Sequence, residues 1–152
     1  MTQEDKILLL EDLCARLPYG VIVDYKDDEY DHHKWKITTL FAPAYSQDGT
    51  LIDTDHDGWI GYDDYKGCGM SSGARPLHIE KNLPYLRPFD RNMTGDEVLE
   101  YISLKEQIIA CDDITYSFET SKSIDWLNKN MFDYRGLIPK GLAIEAPEGM
   151  YN

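Results

Sequence analysis

The segment formed by residues 82–88 contains two prolines and separates two kinds of sequence pattern. Pro84 and Pro88 donate no backbone hydrogen bond, and each favours extended geometry in the residue before it. Before this proline segment, β-branched and alternating runs predict strands, whereas capping motifs and helical spacing after it predict helices. We expect Tyr85 and Leu86, its large apolar residues, to join the two halves on a shared core.

The chain has 152 residues, about the length of one domain by the usual prior of roughly 100–200 residues. We therefore predict a single α+β domain over residues 1–152. An N-terminal helix precedes a small antiparallel sheet in a strand-rich part, residues 18–80. C-terminal helices in residues 92–145 then pack on the same core.

Neither a membrane span nor a secretory signal is expected. No run of about 18 apolar residues occurs, and Glu4 and Asp5 stand where a signal peptide has a basic region. The three cysteines, Cys14, Cys68 and Cys111, have no metal-ligand spacing and fit free thiols in a reducing compartment. These features predict a cytoplasmic protein without disulfides.

The chain is strongly acidic, with a net charge of −13. Residues 1–65 hold 15 acidic and 5 basic side chains, whereas residues 66–152 hold 13 and 10. Such a surface repels phosphate backbones and anionic lipid, so we expect no binding to nucleic acid or membranes. The acidity serves solubility or, alternatively, a face that docks on a basic protein partner.

In the first half, Thr2 and Asp5 form a capping pair ahead of apolar residues at helical spacing. They predict a helix over residues 3–17. Three further segments are β-branched or alternate in polarity and predict strands. They are residues 21–23, 34–41 and 77–80. The charged residues 24–33 predict a hairpin loop.

In the second half, Thr94 and Glu97 form a capping box, which predicts a helix that extends to about residue 108. Thr120 or Ser121 caps a third helix. Residues 114–118 predict a strand or an extended connection, and the apolar residues 132–144 predict short helical turns packed on the core. The predicted core residues are Leu10, Leu13, Ile22, Tyr85, Leu86, Ile102, Trp126, Leu127 and Phe132.

The most specific motif lies in residues 53–64 and matches the calcium loop of an EF-hand. Alternate carboxylates can converge on one hard cation, and Gly58 permits the sharp turn between them. The candidate metal ligands are Asp53, Asp55, Asp57, the carbonyl of Trp59, and Asp64. Calcium is therefore the candidate cofactor, held in a loop whose flanks do not look helical.

A β-hairpin is the alternative interpretation of the same residues. Asp57 and Gly58 are typical of a tight reverse turn, and residues 51–52 and 59–62 would form its two strands. The acidic side chains would then decorate a solvent-facing tip. The flanks favour this hairpin over a helix–loop–helix calcium site.

Two further sets of residues contain possible metal ligands or a possible nucleophile. Residues 31–33 include two histidines, but neighbouring side chains in a strand point to opposite faces, which favours a solvated loop over a metal site. Cys68 could act as a nucleophile with His78 or His56 as base, but no cysteine-enzyme signature surrounds it. We therefore assign no catalytic residue.

Several segments of the chain resemble a family of short uncharacterised proteins from phages and mobile elements of gut anaerobic bacteria. They are residues 12–21 (DLCARLPYGV), 84–88 (PYLRP) with Met93 and Thr94, 132–138 (FDYRGLI) and 145–151 (EAPEGMY). The similarity covers both ends and the proline segment, whereas residues 24–72 depart most. The resemblance implies no known activity, substrate or catalytic residue.

Two classes of function are compatible with these patterns. The first is a small acidic accessory protein that acts by protein–protein interaction in a phage or mobile-element setting. The second is a metal-dependent hydrolase or calcium-binding module that uses residues 53–64, or a thiol enzyme that uses Cys68. The lack of a complete catalytic constellation favours the non-enzymatic class.

Overall fold

The computed structural model describes residues 1–26, 33–41, 57–64, 73–89, 93–109 and 115–151. Within these residues the helices are α1 (Gln3–Arg16), α2 (Gly95–Leu104) and α3 (Ser121–Lys129), and 3₁₀ turns span Leu17–Tyr19 and Ile79–Lys81. The strands are β1 (Ile22–Tyr25), β2 (His33–Phe41), β3 (Gly58–Asp64), β4 (Gly73–Leu77), β5 (Asn82–Leu86), β6 (Glu106–Ile109), β7 (Thr115–Phe118) and β8 (Ile144–Glu145).

Six of the described strands form one sheet in the order β4-β3-β2-β1-β5-β8. Neighbouring strands are antiparallel except β5 and β8, which run parallel. A separate antiparallel pair joins β6 and β7. The predicted α+β class is therefore confirmed. The sheet is larger than expected because the proline segment and part of the tail both join it.

Helix α1 begins with the predicted capping pair. The Thr2 hydroxyl accepts the Asp5 amide at 3.1 Å, and the Asp5 carboxylate accepts the Thr2 amide at 2.9 Å. Leu9 and Leu13 on one face are fully buried in the main core. After α1, Gly20 adopts a φ of 76°, a left-handed conformation that favours glycine, and the chain turns into β1.

The proline segment forms β5, which lies between β1 and β8. Tyr85 and Leu86 are buried there, as predicted. Leu86 belongs to the main core with α1, whereas Tyr85 packs with Ile22 and Ala146 on a second cluster. The segment is thus a strand within the sheet rather than a connection between two halves.

The strand predicted over residues 77–80 is wrong, because β4 ends at Leu77 and the 3₁₀ turn follows. The Asp57 carboxylate accepts the Ile79 amide at 2.9 Å, which satisfies a backbone donor at the start of the turn. The Asn82 side chain donates to the His78 carbonyl at 2.8 Å and closes it. Alternating polarity in this segment therefore reflects a turn that buries Ile79.

One ring from each of three adjacent strands forms an aromatic stack in the main core. The rings of Tyr25 and Trp35 have centroids 4.6 Å apart, and those of Trp35 and Tyr62 lie 4.3 Å apart, with interplanar angles of 16° and 17°. The Arg75 guanidinium from β4 lies 4.7 Å from the Trp35 centroid. Stacking and cation–π contacts thus tie four neighbouring strands together.

Helix α2 is shorter than predicted. It ends at Leu104, and residues 106–109 form β6 instead of a further helical turn. Lys105 has extended backbone geometry, and the Thr120 hydroxyl donates to the Leu104 carbonyl at 2.7 Å. Pairing with β7 therefore overrides the helical spacing of the apolar residues in this segment.

Seven of the nine predicted core residues are buried, and two are not. Leu10 is 38% and Ile102 is 44% exposed, so their assignment to the core is wrong. Neighbouring positions are buried instead: α1 buries Leu9 together with the predicted Leu13, and α2 buries Tyr101. Both helices carry more apolar surface than the fold covers.

The C-terminal residues return to the sheet and to α1. Met131 and Phe132 contribute to different clusters, the main core and a cluster with Tyr101 and Trp126. The Arg87 amide donates to the Met131 carbonyl at 2.8 Å, directly after β5. The tail packs back on the core as predicted, with Leu137 fully buried, but it forms non-helical turns where helical ones were expected.

Candidate functional site

The predicted calcium ligands lie only partly within the described residues. Asp53 and Asp55 lie outside them, whereas Asp57 precedes β3 and both Trp59 and Asp64 lie within it. Trp59 is the second and Asp64 the last residue of this strand, so they are about 16 Å apart along an extended chain. The strand does not bring these two positions together, and the calcium assignment stays a prediction.

The hairpin alternative is wrong in its strand pairing. Residues 59–62 pair with β2 on one side and with β4 on the other. Both edges of this part of β3 are thus occupied by described strands, and residues 51–52 lie outside the described residues. Asp57 instead precedes β3 and Gly58 begins it, within a run of five antiparallel strands.

Asp57 has structural partners in the described residues. Its Oδ2 accepts the Ile79 amide, and its Oδ1 lies 3.8 Å from Lys6 Nζ, which also pairs with Glu80 at 3.1 Å. The hydrogen bond to Glu80 raises the pKa of Lys6, and the charge of Asp57 acts in the same direction. This carboxylate therefore links α1 to the turn before β5.

The other predicted reactive groups are not assembled in the described residues. His56 and Cys68 lie outside them, and Cys14 is an exposed thiol whose pKa is raised by partial burial. Among the described residues, no group of three or more His, Cys, Asp or Glu side chains could hold a metal ion. The predicted pairing of Cys68 with His78 or His56 therefore lies wholly or partly outside the described residues.

We expect Asp57→Ala to lower the free energy of unfolding by about 1 kcal/mol, equally in calcium and in chelator, because the change removes an acceptor from a backbone amide. Asp57→Asn keeps an oxygen at this position and is the matched control. Thermal melting measures both. A calcium site would give a different result. Calcium at a hundredfold excess over its dissociation constant would stabilise the wild type by about 2.7 kcal/mol, and Asp53→Asn/Asp55→Asn would lose this stabilisation.

The largest exposed apolar surface on α2 is formed by Val98, Leu99 and Ile102, which we call the α2 stripe. Their side chains are spaced three and four residues apart along one side of the helix. Val98 is 38%, Leu99 69% and Ile102 44% exposed. Single exposed apolar residues are common, but three neighbours on one helix form a patch of the kind that marks an interaction site.

The opposite side of α2 is fixed to the protein. The Tyr101 ring packs edge-on against Phe89 with a centroid distance of 5.6 Å, and it lies 5.7 Å from the Trp126 ring. The Tyr101 hydroxyl donates to Glu119, and burial together with this bond raises the Tyr101 pKa. Because Tyr101 sets the rotation of the helix, the α2 stripe faces outward.

The first turn of α2 is held by an ion pair. Two nitrogens of Arg87 donate to the two carboxylate oxygens of Glu97 at 2.8 and 3.0 Å, and the Arg87 guanidinium lies 4.1 Å from the Phe132 centroid. The hydrogen bond from Arg87 holds the pKa of Glu97 below its ordinary value of 4.5. Glu97 also completes the capping box with Thr94.

The surroundings of the α2 stripe are acidic. Asp96 and Glu100 are exposed on the same helix, and neither has an ion-pair partner among the described residues. In contrast, Glu97 is neutralised by Arg87. The stripe therefore combines an apolar centre with an unneutralised acidic rim.

Helix α1 carries a second, smaller apolar surface. Ile7 is 50% and Leu10 38% exposed, at a spacing of three residues, and the exposed Cys14 continues the same side. Exposed carboxylates also lie on this helix at Glu4 and Glu11. It serves below as a matched control for the α2 stripe.

Sequence reasoning identified α2 but not the exposure of its outer face. Five of its ten residues, Val98, Leu99, Tyr101, Ile102 and Leu104, are apolar or aromatic and spread around more than one side. A helix that is apolar on several sides is either buried or supplies an interface. This distribution of apolar residues is the sequence feature that could have indicated an exposed apolar face.

Comparison with protein-family models, with curated proteins and with solved structures finds no match for this chain. Within the described residues, none of the helices combines the length and the apolar character needed to span a bilayer.

Proposed function

We propose that this chain is a non-enzymatic interaction protein that binds a basic protein partner through the α2 stripe. The observation that carries the proposal is the outward-facing apolar surface of Val98, Leu99 and Ile102 on a helix whose other side is fixed in the fold. We place it in the cytoplasm and in a phage or mobile element; the latter rests on the sequence resemblance alone.

The mode of binding follows from the geometry of the stripe. Anchors spaced three and four residues apart on a helix fit an apolar groove or the apolar face of another helix. Burying such side chains contributes most of the binding free energy, whereas the surrounding contacts mainly exclude water. Leu99, which is 69% exposed, has the most surface to lose on binding.

The charge of the partner follows from the rim. Asp96 and Glu100 would meet positive groups on a basic partner, which raises the association rate and specificity. A second copy of this chain would instead bring these carboxylates together in a protein of net charge −13. Like charges at an interface are unfavourable, so a basic partner is preferred to self-association.

A designed helical peptide of about 18 residues, with leucines on one face and lysines elsewhere, tests this proposal. We expect fluorescence anisotropy to show binding to the wild type and none for the same peptide with glutamates in place of lysines. Leu99→Ser/Ile102→Ser should weaken binding about tenfold or more, because the two side chains are 69% and 44% exposed and would lose about half of the roughly 1.5–3 kcal/mol that full burial of each contributes.

The matched control is Ile7→Ser/Leu10→Ser on α1, which removes comparable exposed apolar surface and should retain binding. The free energy of unfolding of each double variant should lie within about 1 kcal/mol of the wild-type value, because each of the two substitutions is at a partly exposed position. Equal loss of binding in the two variants would exclude the α2 stripe as the site. A wild-type dimer that Leu99→Ser/Ile102→Ser dissociates would identify a second copy as the partner.

A further inference from the structure

Two clefts meet at Glu145 and together form what we call the C-terminal groove. The first has a volume of about 440 Å³ and is lined by Phe89, Tyr134 and Ile138, among others. The second has a volume of about 570 Å³ and includes Tyr151 in its wall. Glu145 belongs to both and lies on β8.

The groove follows the edge of the main sheet. Strand β8 is the last in the strand order, so its outer edge pairs with none of the described strands. Its inner edge pairs with β5 through Tyr85 and Leu86. An unpaired edge beside a cleft is the arrangement that accepts an extended peptide as an added strand.

The walls of the groove favour positive charge. Glu145 and Glu148 are exposed and have no ion-pair partner in the described part of the chain. Among the described residues that line the two clefts, Arg87 is the one basic residue, and Glu97 neutralises it through two hydrogen bonds. Phe89 and Tyr151 line the clefts together with these carboxylates, and aromatic rings attract lysine and arginine side chains.

We propose that the C-terminal groove binds an extended, lysine- or arginine-bearing segment of the same basic partner that covers the α2 stripe. Thr94 and Glu97 in the wall of the second cleft belong to the start of α2, and Val98 of the stripe is the next residue. The two surfaces therefore begin at consecutive residues of α2, Glu97 and Val98. The inference rests on the proposed function for the identity of the partner, but binding at the groove can be tested separately.

The probe is a labelled peptide of alternating lysine and threonine, which is extended and has no apolar face; a peptide with glutamate in place of lysine is its control. We expect the lysine peptide to bind the wild type and to shift the backbone amide NMR signals of residues 144–146. Glu145→Lys/Glu148→Lys should weaken binding about tenfold, because two partly exposed charge pairs are replaced by repulsion. Leu99→Ser/Ile102→Ser should bind it as the wild type does.

The control variant is Glu4→Lys/Asp63→Lys. It changes the net charge by the same amount as Glu145→Lys/Glu148→Lys, but at positions away from the groove, and should retain binding. Equal weakening in both charge variants, or amide shifts located elsewhere, would overturn the groove as the site, as would no binding at all. If the lysine–threonine peptide binds at the groove but the amphipathic peptide does not bind the α2 stripe, the proposed function fails while the groove stands. If the amphipathic peptide binds the α2 stripe but the lysine–threonine peptide does not bind the groove, the groove is excluded and the proposed function stands.

Discussion

Replacing Asp12 by alanine is expected to lower the free energy of unfolding by about 3–5 kcal/mol, because the change leaves the buried charge of Arg16 uncompensated. Both side chains are fully buried, and Arg16 Nε and Nη2 lie 2.7 and 2.9 Å from the two Asp12 oxygens. Arg16 Nη2 also donates to the Phe132 carbonyl at 2.9 Å. Its Nη1 has no hydrogen-bond partner, and neither the Phe132 carbonyl nor the Tyr134 ring, 5.7 Å away, carries a negative charge to replace Asp12.

Glu11, the residue before Asp12, is the control for the Asp12→Ala experiment. Glu11 is 62% exposed at its side chain and lies 3.6 Å from Arg135, so Glu11→Ala should change stability by no more than about 0.5 kcal/mol. Asp12→Leu/Arg16→Met, which replaces the pair by apolar side chains, should recover much of the loss. Urea denaturation measures all three variants. An Asp12→Ala protein as stable as Glu11→Ala would show that the pair is solvated.

Phe132→Ala should also lower the free energy of unfolding by about 3–5 kcal/mol, the usual range for removing a buried aromatic ring. Phe132 is fully buried, and its ring stacks on Trp126 with a centroid distance of 5.6 Å. It also lies beneath the Arg87 guanidinium. The cavity would therefore loosen the cluster that holds α2 and α3, and chemical denaturation measures the effect.

Phe132→Leu keeps a large apolar side chain at this position but removes the aromatic ring. It therefore separates the effect of the ring from the effect of an empty cavity. It should cost less than Phe132→Ala, because leucine fills most of the cavity. Leu99→Ala, at an exposed position, should leave stability within about 0.5 kcal/mol of the wild type. A loss of less than 1 kcal/mol in Phe132→Ala would show that the tail does not pack as described.

Local signals predicted the helices well and the strand pairing less well. Thr2, Thr94 and Thr120 cap α1, α2 and α3, and in each case the expected side-chain bonds are present. Capping depends on residues three apart, which a sequence displays directly. The strand at residues 77–80 and the helix over residues 105–108 were wrong because partners distant in the chain decide both outcomes.

The candidate site shows the same limit. The spacing of Leu10 and Ile102 fits a core face, yet both are exposed, because Leu9 and Tyr101 on adjacent positions are the residues that the fold buries. A sequence shows how much apolar surface a helix has, but the rotation of the helix depends on tertiary contacts. The groove could not be predicted at all, since Glu145 and Phe89 meet only after the tail returns to the sheet.

The aromatic stack of Tyr25, Trp35 and Tyr62 gives the sheet an optical property. Rings held in one asymmetric arrangement produce a near-ultraviolet circular dichroism signal that is lost when specific packing is lost. A slip of β2 by one residue would move Trp35 to the opposite face of the sheet and separate it from the two tyrosines. The protein thus carries a built-in spectroscopic reporter of strand register, which distinguishes a correctly paired sheet from one that is merely collapsed.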